Sequence, residues 1–244
     1  MGSSYFYLEF LFSWLTVLME AGYSNPAIFA LEYSLVPDAV FPSQVQQALA
    51  GYDFVLSMAR DVSRICLSGD SAGATLMLSL LLLRGQDDHW GSQRPRLAAF
   101  FSPWVTLVSA HHRNSESDYL TLDRLHQYAR QYTAGRVPLD DAIASPGLCH
   151  DHAWWRRASP SEGYVCLSGS EEMFGSEIKR WQHLMHQSGC HCKLEVEPNA
   201  IHVWPVVAIF LGNSPAERVR GLVRMTNLIQ QKMPPAYEHE QGKP

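Results

Sequence analysis

The chain has 244 residues, 46 % of them apolar and 18 % charged. That is room for one large domain or two small ones, with enough apolar surface to exclude disorder over most of the length. Nineteen Lys and Arg against 24 Asp and Glu leave a formal net charge of −5, which argues against a broad polyanion-binding surface and gives no support for nucleic acid as a partner.

Tyr5 to Met19 is nearly continuous apolar sequence. No positive charge precedes Arg60, as a signal peptide would require, and Glu9 and Glu20 interrupt or bound a run too short to span a bilayer. Leu8, Leu11, Leu15 and Leu18 recur at helical spacing, so the run predicts a helix covered by protein on most sides; N-terminal membrane association is the lesser alternative. Gly22 and Pro26 mark a turn, and Ala27 to Tyr33 has the length and apolarity of a strand. Pro42 suits the first turn of a helix that continues through Val45, Ala48, Leu49, Tyr52, Val55, Leu56 and Ala59 at intervals of three and four. Ser63 to Ser68 reads as a buried strand, Ala72 to Leu83 as a buried helix, and Arg96 to Phe101 as a further strand ended by Pro103.

Alternating strands and helices over such a stretch predict an α/β fold, a mostly parallel sheet with helices on both faces. The alternation lapses over 106–158, a polar stretch rich in His, Asp, Tyr and Trp with helical signal only over Leu122 to Tyr132. That stretch reads as a cap or lid insert, with Trp104, Tyr119, Trp154 and Trp155 as candidate walls of an apolar pocket. The pattern resumes with a strand over Tyr164 to Ser168, a helix over Glu177 to Gln187, a strand over Cys192 to Val196 and a last helix from Pro215 to Lys232. The expectation is one domain over 1–234 with an insert, followed by a disordered tail over 235–244.

Five cysteines lie at 66, 149, 166, 190 and 192. Cys190 and Cys192 flank His191, but a C-x-C with no second pair does not make a zinc pattern. They read as reduced thiols of a cytoplasmic protein, with no metal and no cofactor expected.

The sharpest local signal is Gly69-Asp70-Ser71-Ala72-Gly73, which follows a predicted strand and opens a predicted helix. That is the context of a nucleophile elbow, G-x-S-x-G, in which small neighbours let a strained serine turn form. The serine hydroxyl then stands at a helix N-terminus, where the Ala72 N–H can stabilise an oxyanion. GDSAG lacks the Lys of a P-loop and the glycine spacing of a dinucleotide fingerprint. A serine needs a base, and the base an orienting acid, in the order Ser, acid, His on such a sheet. The ends of the two late strands offer them: Glu171, with Glu172 as the alternative acid, and His202. His111, His112, His150, His152, His183, His186 and His191 have no such positional claim and read as surface or cap residues.

These residues resemble the α/β-hydrolase-3 family, the hormone-sensitive-lipase-like esterases and lipases, especially its fungal members. Leu31 to Asp38 with Phe41-Pro42 is similar to the family's D-Y-R-L-A-P-E segment and following F-P. Gly69 to Gly73 matches its G-D-S-A-G elbow, Ser145-Pro146 resembles its S-P, and Gly169-Ser170-Glu171 sits where the family has G-x-D. The resemblance implies hydrolysis of a small-molecule carboxylic ester, with Ser71 as nucleophile, Glu171 as acid and His202 as base. It also places a His-Gly-Gly-Gly segment, which supplies oxyanion N–H groups and ends a central strand, shortly before Gly2-Ser3. Nothing precedes Met1 in this sequence, so the expectation is a 5′-truncated gene model, a fragment or a degenerate copy with an impaired oxyanion hole. Rival readings are a non-catalytic small-molecule binder on the same fold, a peptidase or acyltransferase using the same triad, and a product without function.

Overall fold

The computed structural model of the protein describes residues 4–59 and 61–235; apart from Pro235, the tail expected beyond 234 lies outside them. Four strands, β1 (Cys66–Asp70), β2 (Leu97–Phe101), β3 (Tyr164–Gly169) and β4 (Cys192–Glu197), form one parallel sheet in the order β1-β2-β3-β4. Eight helices accompany them among the described residues: α1 (Ser4–Glu20), α2 (Ser43–Ala59), α3 (Ala72–Arg84), α4 (Leu122–Thr133), α5 (His152–Ala158), α6 (Gly175–Gln187), α7 (Trp204–Leu211) and α8 (Pro215–Lys232).

Strand alternation sorts the core into two halves. Ala98, Phe100, Tyr164 and Cys166 point to the face covered by α2, α3, α5 and α6. Leu97, Ala99, Phe101, Val165 and Leu167 point to the face covered by α1, α7 and α8. All five residues of β2 are buried, as a central strand of a parallel sheet requires.

Three expectations fail. The segment 27–33 is irregular, not a strand. A strand needs a neighbour to share its hydrogen bonds, and among the described residues none lies beside it; Phe29 and Leu31 pack instead against Gly51 of α2, and Phe29 against Phe54. The first helix is covered on one face only. Phe10, Trp14 and Val17 are buried, while Tyr5, Leu8, Phe12 and Met19 are exposed, because the aromatic rings of Phe10 and Trp14, not the leucine row, meet Phe101 edge-on at 5.6 and 5.4 Å. No helix of the described residues is long and apolar enough to cross a membrane. Finally, α5 and α7 were not expected. Asp151 caps α5 by accepting from the Trp154 N–H, a start signal present in the sequence, and α7 is so uniformly apolar (WPVVAIFL) that it shows no helical stripe.

Candidate active site

Every element of the site hangs from the C-terminal end of a strand, where parallel sheets present their ligand sites. β1 ends at Asp70, and the chain turns sharply into α3 through Ser71, whose backbone lies at φ 47°, ψ −116°, a conformation costly for a residue with a side chain. Hydrogen bonds hold the turn: the Ser71 N–H donates to Phe101 O (3.1 Å), and the Ser71 carbonyl accepts from the Trp104 N–H (3.1 Å). Gly69 makes the turn possible, since a Cβ there would lie 2.6 Å from the Ala74 nitrogen and the Gly73 carbonyl carbon. Gly73 is under no such pressure; its nearest neighbour would be Asp70 Oδ1 at 3.9 Å. The elbow's spatial demand therefore rests on the first glycine, not on both. The Ala72 N–H opens α3 and belongs to the first turn, whose donors a helix leaves without internal partners.

The loop after β4 brings His202 over this turn. His202 Nε2 lies 2.9 Å from Ser71 Oγ across 131 residues of sequence. On its other side the imidazole Nδ1 faces Glu172 Oε2 at 3.9 Å, with the two side chains 3 % and 0 % exposed. The structure thus brings Glu172, and not Glu171, to the histidine. Glu171 is half-buried at the loop surface, where its carboxylate accepts from Ser170 Oγ (2.9 Å) and Ser117 Oγ (3.5 Å). The turn after β3 explains the choice: the Glu172 side chain folds back onto the strand end, taking the Gly169 N–H (3.2 Å) and the Ser102 hydroxyl (2.5 Å). Gly169 leaves room for the histidine loop, since a Cβ there would lie 2.1 Å from the Ala200 carbonyl oxygen.

Ser102 was not singled out by its sequence. It ends β2 as Ser71 ends β1, again at positive φ (44°), and its buried hydroxyl both donates to Glu172 and accepts from the Val203 N–H at 2.9 Å. It therefore links the acid's loop to the histidine's. Phe174 stands edge-on to the His202 ring at 4.9 Å and is backed by Trp104, stacked on it at 5.9 Å. Tyr119 packs 5.9 Å from the His202 ring. Trp154 and Trp155, by contrast, belong to the scaffold: their indole N–H groups donate to the carbonyls of Leu82 and Cys149, and Trp155 is fully buried. His112, in the stretch read as a cap, is buried and not at the surface, 5.4 Å from Phe174; burial holds its pKa below the usual imidazole value, Glu177 nearby opposing.

Asp70, the residue before the serine, accepts from the Tyr7 hydroxyl of α1 at 2.7 Å. Burial pushes its carboxyl above the ordinary range, against the opposing pull of Tyr7 and His202. Burial first, and then the Asp70 charge, lifts Tyr33 to about 12. No group of three or more His, Cys, Asp or Glu able to hold a metal ion occurs among the described residues.

A parallel sheet bearing a serine elbow, with a histidine loop at its strand ends, defines the class, and comparison with known proteins gives the family. The α/β-hydrolase-3 family, described as the alpha/beta hydrolase fold, matches residues 12–206, and the chain belongs to it. An acetyl-hydrolase of Streptomyces hygroscopicus is 31 % identical over 186 residues, 74 % of this chain and 58 % of its own length. A Schizosaccharomyces pombe protein bearing a steryl acetyl hydrolase name is 27 % identical over 198 residues, 70 % of this chain and 50 % of its own. The chain thus spans about half the length of these relatives. A crystal structure of a hormone-sensitive lipase from a metagenome library superposes with a TM-score of 0.73 at 22 % identity, over 91 % of this chain and 72 % of that one. An esterase/lipase from an uncultured bacterium does so with the same TM-score and identity, over 90 % and 70 %. Both show the fold.

Proposed function

We propose that the chain hydrolyses carboxylic esters through an acyl-serine intermediate, with Ser71 as nucleophile, His202 as general base and acid, and Glu172 as the acid behind it. The observation that carries this reading is the 2.9 Å approach of His202 Nε2 to Ser71 Oγ, the geometry a base needs to take a hydroxyl proton. Ser71 Oγ attacks the ester carbonyl carbon as its proton passes to Nε2. The Ala72 N–H, at the positive end of α3, stabilises the oxyanion. Collapse expels the alcohol, which takes the proton back from His202. Water, deprotonated by the same nitrogen, then releases the acid and restores Ser71.

Glu172 replaces Glu171 in this scheme because its carboxylate is the one facing Nδ1. The 3.9 Å separation leaves Nδ1 without a partner, and such contacts tighten when a transition state places charge on the imidazole. The acetyl group in the names of two relatives makes a short acyl group the substrate class of choice.

Labelling with a fluorophosphonate tests the reading. The expected result is stoichiometric modification at Ser71, absent in Ser71→Ala, together with turnover of p-nitrophenyl acetate. A folded sample that neither labels nor hydrolyses refutes it and leaves the non-catalytic binder.

A further inference from the structure

Three successive residues between β2 and α4 touch the acid loop and the base loop. Ser117 Oγ donates to Glu171 at 3.5 Å. Asp118 Oδ2 accepts the Met173 N–H at 2.9 Å, in a buried contact. The Tyr119 hydroxyl donates to the His202 carbonyl at 3.3 Å. Met173 directly follows Glu172, so Asp118 grips the peptide group that carries the acid, and Tyr119 grips the residue that carries the imidazole. The base of this segment is itself pinned, the Leu122 N–H donating to Asn114 Oδ1 at 2.8 Å. Asp118 is only 8 % exposed, and its second oxygen, Oδ1, has no hydrogen-bond partner. A buried carboxylate with half its capacity unused is unfavourable for stability, and its one bond falls on the acid's peptide. Tyr119, 49 % exposed, keeps a large ring at the site mouth, held there by its bond to a backbone carbonyl.

We propose that Asp118 and Tyr119 are positioning residues for the Ser71, His202 and Glu172 constellation, Asp118 fixing the backbone of the acid and Tyr119 that of the base. The inference rests on the hydrolase reading above. It adds that the 106–158 segment sets the 3.9 Å relation between Glu172 and His202 without touching the reacting atoms. A positioning bond acts on kcat more than on KM, because the geometry it holds matters most when the imidazole becomes charged.

The test compares fluorophosphonate labelling rates and p-nitrophenyl acetate kinetics of the wild-type chain, Asp118→Ala, Asp118→Asn and Tyr119→Phe. Asp118→Ala removes the acceptor and is expected to lower kcat roughly 10-fold with KM within about twofold. Asp118→Asn keeps a carbonyl acceptor for the Met173 N–H while removing the charge, so it restores kcat to within about threefold of wild type. Tyr119→Phe, at an exposed position that folding tolerates, lowers kcat by about two- to fivefold. The pH midpoint of kcat/KM stays at its wild-type value in all three. Wild type that labels alongside variants labelling equally fast overturns the positioning role alone. Asp118→Asn as slow as Asp118→Ala, or a displaced pH midpoint, overturns it in favour of a direct charge effect on His202. Wild type that fails to label overturns the hydrolase reading, and the role of the two residues falls with it.

Discussion

Replacing Glu172 by Gln separates the two candidate acids and puts a number on the site. The Glu172 carboxylate faces His202 Nδ1 at 3.9 Å, and both side chains are buried. Once His202 has taken the serine proton, two unit charges stand at that distance. At an effective dielectric of about 20 their attraction is about 4 kcal/mol, which converts to roughly 10³-fold in kcat. Glu172→Gln keeps the shape and one carbonyl acceptor for the Gly169 N–H, so the loss reports on charge and not on collapse of the loop. Glu171→Gln changes a half-buried carboxylate whose bonds go to Ser170 and Ser117, and it should alter kcat by less than about threefold. The assay is steady-state hydrolysis of p-nitrophenyl acetate at pH 7.5, with thermal unfolding of each variant as the folding control. A Glu172→Gln enzyme within tenfold of wild type, or a Glu171→Gln enzyme equally impaired, refutes the assignment.

Further expectations follow from packing and titration. Gly69→Ala drives a methyl against backbone atoms at 2.6 Å and should cost upwards of about 2 kcal/mol in urea unfolding, whereas Gly73→Ala, with nothing nearer than 3.9 Å, should stay within about 1 kcal/mol of wild type. Trp14→Ala removes a ring packed on Phe101 and an indole bond to Thr226 Oγ1 of α8, for a loss of about 3–5 kcal/mol. Phe12→Ala, on the exposed face of the same helix, should change stability by less than about 1 kcal/mol.

His112, with both ring nitrogens unpartnered and its pKa lowered by burial, binds its proton more weakly folded than unfolded. As pH falls from about 6.5 toward the folded value, the unfolded state takes up the proton first, so the stability His112 permits above that window is lost within it. Asp70, raised by burial, works with the opposite sign: its contribution is full below the unfolded carboxylate pKa and is lost as pH rises through the folded one. Denaturant titrations at pH 7.5 and 5.5 should therefore show a smaller drop for His112→Phe than for wild type; equal drops would contradict the assignment.

The elbow was legible because three independent signals coincide at Ser71: an apolar run before it, a helix after it, and glycine where a Cβ would meet backbone. His202 was legible from its place after the last strand. Which glutamate faces the histidine was left between Glu171 and Glu172, because both sit in a turn where the period of two that sorts strand side chains no longer applies; the backward fold of Glu172 onto Gly169 and Ser102 depends on groups 3 and 70 residues away. The 27–33 segment failed for a related reason. Its residues suit a strand, but a strand is a relation between two segments. On α1 the leucine spacing identified a helix but not how much of it is covered, since only the side bearing Phe10, Trp14 and Val17 is buried. Tyr119 stood out only as a candidate pocket wall and Asp118 not at all, because the bonds they make reach two loops distant in sequence.

β1 and β2 each leave the sheet through a serine at positive φ, 47° and 44°, one step beyond the paired residues Asp70 and Phe101. Both exits turn a hydroxyl toward the histidine's loop, Ser71 Oγ to the His202 ring and Ser102 Oγ to the Val203 N–H. Because the groups that meet at His202 hang from turns beyond the strands while the ladder below them stays uniformly parallel, this scaffold is open to redesign by exchanging its rim, with the load of stability carried by the floor.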